Sequence, residues 1–169
     1  MKKLKLASFL LLVSFVAFYS CEDDSTPKNY FKYDGKTHSL SDGYLEEYGA
    51  NNGSYDWDVY IVSSKLNYNG DWFTGTGDII YLDLNTSSEN GLVTGTYTFS
   101  SERSVFTFVD AGAGINYNMD NESGTIVDAI GGIVEITVSG NEVLFEFNLI
   151  TGTGKTIKGR FKGVLTEIY

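Results

Sequence analysis

From Asn29 onward, apolar and polar residues alternate with a period of two rather than 3.6, in short runs separated by breaks rich in Gly, Asn and Asp. A period of two puts successive side chains on opposite faces of an extended strand. The pattern therefore predicts an all-β, antiparallel domain spanning residues 29–169, either a β-sandwich or a calycin-like β-barrel built from hairpins. Asn29 to Tyr33 and Lys36 to Leu40 flank Asp34-Gly35, a pair that favours positive φ and so marks a two-residue hairpin turn. Tyr55, Trp57, Val59 and Ile61 alternate with Asp56, Asp58 and Tyr60 to give one apolar face. Ile80, Leu82 and Leu84 share a face; Tyr97 and Phe99 alternate with Thr94, Thr96 and Thr98; residues 104–109 add a further strand. Ser41 to Asn52 carries Tyr44, Leu45 and Tyr48 with no clean period and reads as a loop, and Asp110 to Gly124 reads as a solvated connection.

The last third predicts a three-strand meander. Val134, Ile136 and Val138 precede the turn Gly140-Asn141, and Val143, Phe145, Phe147 and Leu149 follow it. After Thr151 to Lys155 comes Ile157, Gly159, Phe161, Gly163 and Leu165, alternating with Lys158, Arg160 and Lys162. Turn length fixes register, so Val138 faces Val143, Ile136 faces Phe145 and Val134 faces Phe147. Across the five-residue loop Leu149 faces Ile157, Phe145 faces Phe161, and Gly159 leaves space for the ring of Phe147. On the opposite face Glu135, Glu146 and Arg160 fall in one row, where Arg160 is expected to bridge two adjacent like charges.

Residues 1–20 read differently. Lys2, Lys3 and Lys5 precede an apolar run from Leu6 to Tyr19, the pattern of a secretory signal. That run falls short of the roughly 18–20 residues that cross about 30 Å of hydrocarbon, so a permanent transmembrane helix is the weaker reading. The chain's one cysteine, Cys21, follows Phe18-Tyr19-Ser20 and resembles the lipidated first residue of a mature lipoprotein. Ser20 fits the small residue that the lipobox places before the cysteine, whereas Phe18 departs from its usual aliphatic residue. Residues 21–28 then form a polar tether with Glu22-Asp23-Asp24 and the one proline, Pro27.

Composition narrows the chemistry. The chain has 169 residues, enough for one ordinary domain, with 12 Tyr and 11 Phe. A single Cys and a single His leave no intrachain disulfide, no multi-Cys zinc site and no His-pair metal centre. The net charge is −10, and removal of the signal's three lysines leaves 9 basic against 22 acidic residues, a balance that repels nucleic acid and anionic lipid alike.

Few residues suggest a site. Gly152-Thr153-Gly154-Lys155-Thr156 ends like a phosphate-binding loop, but Leu149 stands where the first glycine belongs and a strand follows instead of a helix. Asn116, Asn118, Asp120 and Glu122 are hard oxygen donors, yet the calcium-loop pattern lacks its leading Asp and its sixth-position Gly. His38 has no nucleophile motif to serve and is expected to pack opposite Phe31. With 22 acids in the chain, a pair of neighbouring carboxylates has little specificity as a hydrolase signal. Tyr68, Trp72 and Phe73 lie among turn formers rather than in an alternating strand, and form a candidate platform for a sugar ring or a partner protein, or else a cap on the core.

Gly95 to Phe99, Gly131 to Asn141 and Gly154 to Leu165, with Tyr30 to Lys36, resemble a widespread group of small Bacteroidetes lipoproteins. In that group an acidic string such as Cys21-Glu22-Asp23-Asp24 acts as a surface-export tag. The resemblance implies an all-β body, anchored in the outer membrane by lipid on Cys21 and exposed to the medium, and no established catalytic activity. The leading expectation is a non-enzymatic binding or adhesion module for glycan or protein, without cofactor or metal. The alternatives are a carrier of a small apolar ligand inside a barrel, a carboxylate hydrolase and a purely structural envelope protein.

Overall fold

The computed structural model describes residues 27–51 and 53–169. The signal segment, Cys21 and the Glu22-Asp23-Asp24 tag lie outside them. The described residues are all-β: β1 (Tyr30–Tyr33), β2 (Lys36–Ser39), β3 (Asp42–Asn51), β4 (Ser54–Val62), β5 (Leu66–Tyr68), β6 (Phe73–Thr86), β7 (Gly95–Phe99), β8 (Thr107–Asn118), β9 (Ser123–Ser139), β10 (Glu142–Thr151) and β11 (Thr156–Ile168).

Hydrogen bonding runs β10-β9-β7-β8-β6-β4-β3-β11-β1-β2, and direct pairing of β10 with β11 brings the sheet round on itself. The result is a ring of strands rather than a regular barrel. Strands β8 and β9 pair along Gly112 to Asn118 and then diverge, and β7 fills the gap between them. The β1–β2 hairpin hangs on β11, and β5 pairs with the start of β6 alone. Two pairings, β7 with β8 and β11 with β3, are parallel, so the sheet is mixed where the hairpin pattern predicts a purely antiparallel one. Both arise where strands distant in sequence meet, beyond the reach of turn rules.

The hairpin registers follow the turns. Asp34 and Gly35 take φ of 49° and 75° and pair Tyr33 with Lys36. Val138–Val143, Ile136–Phe145, Phe145–Phe161 and Leu149–Ile157 are all cross-strand partners. A Cβ on Gly159 would lie 2.6 Å from Phe147 Cζ, so the missing side chain makes room for that ring. Thr151 to Lys155 is a hairpin loop closed by Gly154 N–H donating to Thr151 O at 2.8 Å, not a phosphate cradle. The row Glu135, Glu146 and Arg160 forms in register, but the expected bridge does not: among the ion pairs of the described residues none involves Arg160.

Two segments differ from their expected class. Ser41 to Asn52 is mostly the strand β3, whose period is hidden because both faces are covered only around Tyr44 and Leu45 and the strand is more exposed beyond them. Leu45 enters the ring while Tyr44 packs under a second cluster outside it, and a bulge between Glu47 and Gly49 interrupts the alternation. Asp110 to Gly124 belongs largely to β8 and β9. Its inward residues are Ala111 and Ala113, too small to give hydropathic contrast, and Gly112 lies where a Cβ would meet Val127 O at 2.8 Å.

The ring interior is filled by side chains. Phe31, Tyr97, Phe108, Phe145 and Phe161 are all at most 1% exposed and belong to one cluster with Trp57, Val59, Leu82, Val134 and Leu149. A smaller cluster of Tyr60, Val62, Leu66, Phe73, Ile79 and Ile168 lies on the outer face, where the β5–β6 hairpin folds back over β4 and β6.

Candidate functional site

The hairpin that covers this outer face carries the aromatic loop. Its tip, residues 69–72, is pinned by Asn69, whose Oδ1 accepts from the backbone N–H of Asp71 (2.9 Å) and of Trp72 (3.0 Å). Tyr68 Oη donates to Gly70 O at 2.9 Å. At the far end of the hairpin Gly75, with φ of 96°, passes so close to Lys65 that a Cβ would lie 2.7 Å from its carbonyl oxygen.

The three candidate platform residues fall into two layers. Phe73 is 1% exposed and cannot offer a surface; its ring packs against Tyr44 at 5.0 Å and Tyr60 at 5.5 Å, which is the capping role. Alternation along the hairpin turns Phe73 toward the sheet. Trp72 is 48% exposed and stands nearly perpendicular to Tyr60, with ring centroids 5.8 Å apart, and to Phe73, 5.7 Å apart. Tyr68 is half-buried beside them, 5.4 Å from Phe73. Tyr48, at the β3 bulge, is a second exposed aromatic, 60% exposed.

Beneath and beside this layer runs a row of acids that the local pattern does not reveal. Glu46, Asp58, Asp83 and Asp110 are successive cross-strand partners on β3, β4, β6 and β8, and Asp56 lies two residues from Asp58 on the same face. Asp56, Asp58 and Asp83 are buried, and one carboxylate oxygen of each lies within 4.8 Å of the others. Alternation alone predicts that they face water. Asp56 and Asp83 are covered by Arg103, which the loop between β7 and β8 delivers onto them, and Asp58 is covered by Tyr60 and Tyr81, whose hydroxyls donate to it. Arg103 Nη1 donates to Asp83 Oδ1 (2.6 Å) and pairs with Asp56 Oδ2 (2.7 Å), while Nη2 donates to Asp83 Oδ2 (2.7 Å).

Charge in this row is short of compensation. Burial pushes the Asp58 carboxyl up to about 7, against the opposing effect of Tyr81 Oη, which donates to Asp58 Oδ2 at 2.9 Å. Tyr60 Oη has one proton to share between Asp58 Oδ2 (3.2 Å) and Glu46 Oε2 (3.0 Å). Burial, together with the neighbouring Asp83, also raises Asp56. Burial lifts both tyrosine hydroxyls far above their ordinary range, so they remain neutral donors.

A divalent cation would find three carboxylates here, but the guanidinium of Arg103 already lies between Asp56 and Asp83 and supplies the counter-charge. Among the described residues Asp56, Asp58 and Asp83 are buried rather than exposed at a cleft wall. The neighbouring depression, of about 180 Å³, is lined by Tyr81 and Asp110 but by none of the three.

The other candidates occupy structural positions. Asn118 Oδ1 accepts from the N–H groups of Asp120 (2.9 Å) and Asn121 (3.0 Å), and Asp120 Oδ2 accepts from Gly75 N–H (3.3 Å), so these oxygens build the β8–β9 turn. His38 stacks on Phe31 at 4.6 Å and 9°, opposite it in register, with Nδ1 3.2 Å from Asp78 Oδ2. Comparison of the chain with protein-family models, curated proteins and solved structures finds no match.

Proposed function

We propose that the protein is an outer-membrane lipoprotein, anchored through lipid on Cys21 and displayed at the cell surface by its Glu22-Asp23-Asp24 tag. Its β domain is a non-enzymatic binding or adhesion module for glycan or protein. The observation that carries this reading is Trp72: a half-exposed indole on a hairpin tip pinned by Asn69 and propped edge-on against Tyr60 and Phe73. An ordered aromatic face loses little conformational entropy when a sugar ring or an apolar side chain docks on it. Glu46 beside Tyr60 supplies an acceptor for hydroxyl or cationic groups. A filled interior favours recognition on the outside over carriage within.

Screening the full chain in detergent against a glycan array and a panel of extracellular proteins tests the proposal. A hit should lose at least about tenfold in affinity in Trp72→Ala, as a central aromatic contact does, with circular dichroism unchanged. Tyr48→Ala, at a more exposed residue, serves as the second variant. No hit, or hits that both variants leave intact, would overturn the reading.

A further inference from the structure

A second surface feature lies on another part of the ring, on the outer face of β1, β11 and β10. Cross-strand register sets six outward side chains in two rows there: Tyr30, Arg160 and Glu146 in one, Lys32, Lys158 and Asn148 in the other. They line a groove of about 450 Å³, within the roughly 300–1,000 Å³ of small-molecule sites. Three of the 9 basic residues that remain after the signal segment converge on this groove, in a chain where acids outnumber bases.

Two polar atoms in the groove are buried without a hydrogen-bond partner, Arg160 Nε and Asn148 Oδ1. One is a donor and the other an acceptor, and neither is spent on a partner among the described residues. Glu146, and Glu135 beside it on β9, also call for donors, which disfavours a wholly anionic ligand such as phosphate. Lys32, Lys158 and the guanidinium call for an anion, and a planar carboxylate matches the arginine fork.

We infer that this groove is a binding site for a carboxylate-bearing saccharide. The carboxylate pairs with the cationic side on β1 and β11, and ring hydroxyls donate to the acidic side formed by Glu146 and Glu135. The site does not depend on the Trp72 face.

The test is titration of the isotopically labelled full chain in detergent with tri-galacturonic acid and with its fully methyl-esterified form, following the Arg160 Nε–H resonance. The acid should shift that resonance saturably and the ester should bind at least about tenfold more weakly, the loss expected for a charged hydrogen bond. Arg160→Gln should abolish acid binding, read from backbone amides of β10 and β11, and Trp72→Ala should leave it unchanged. Should Arg160→Gln fail to fold, Lys32→Gln with Lys158→Gln, both at exposed residues, should weaken the acid and not the ester. No saturable shift, equal binding of acid and ester, or an equal shift with inorganic phosphate would overturn the proposal.

Discussion

Asp58 is 6% exposed and lies among Glu46, Asp56 and Asp83, with Arg103 committed to the last two. Its carboxyl is raised from about 4 in the unfolded chain to about 7 in the fold. The folded state therefore holds the proton more tightly than the unfolded one across that window. Its contribution to stability is fully present below about pH 4 and is lost as pH rises through about 7. Asp56, raised by burial and by Asp83, acts in the same direction. The urea midpoint should consequently be higher at pH 5 than at pH 8, the reverse of what a salt-bridged carboxylate gives, and Asp58→Asn should narrow the difference. An Asp58→Asn chain that keeps the full difference would show that other groups set the pH dependence. Nothing in the order Asp56-Trp57-Asp58 announces this chemistry. Asp58 is covered by tyrosines of β4 and β6, and its neighbours Asp56 and Asp83 by an arginine on the β7–β8 loop, contacts that a local period does not encode.

At the scale of the strand, legibility follows whether one face meets water. Strands β9, β10 and β11 bury one face through much of their length, so alternation and turn length together define their registers. Strand β3 is covered on both faces at Tyr44 and Leu45 and broken by its bulge, and β8 lines the ring with alanines, so neither shows the contrast from which a period is read. The candidate site was legible in part. Trp72 and Tyr68 stood out as aromatics among turn formers, but the layer that props them, Tyr44, Tyr60 and Tyr81, comes from three different strands. Glycine marks the close approaches: a Cβ at Gly159 would collide with Tyr30 O as well as with Phe147. Gly159→Ala should thus destabilise the domain by about 1–3 kcal/mol, the usual cost of overpacking, read as a lowered urea midpoint. An unchanged midpoint would mean that β1 and β10 yield at no cost and that their packing on β11 is loose.

For the whole molecule, the proposed function assigns the address to residues 1–28 and the recognition surface to the ring. Under the proposed anchorage and display, the Trp72 face and the Arg160 groove would meet extracellular ligands, and a balance of 22 acidic against 9 basic residues after the signal segment would repel anionic lipid and nucleic acid. Display at the surface is the claim on which the rest depends. Its most direct test is protease shaving of intact cells carrying either the wild type or a chain with Glu22, Asp23 and Asp24 changed to Ala, with permeabilised cells as control. The account predicts that shaving removes the wild-type protein and spares the variant. Protection of both in intact cells, with digestion in permeabilised ones, would contradict it and place the domain inside the envelope.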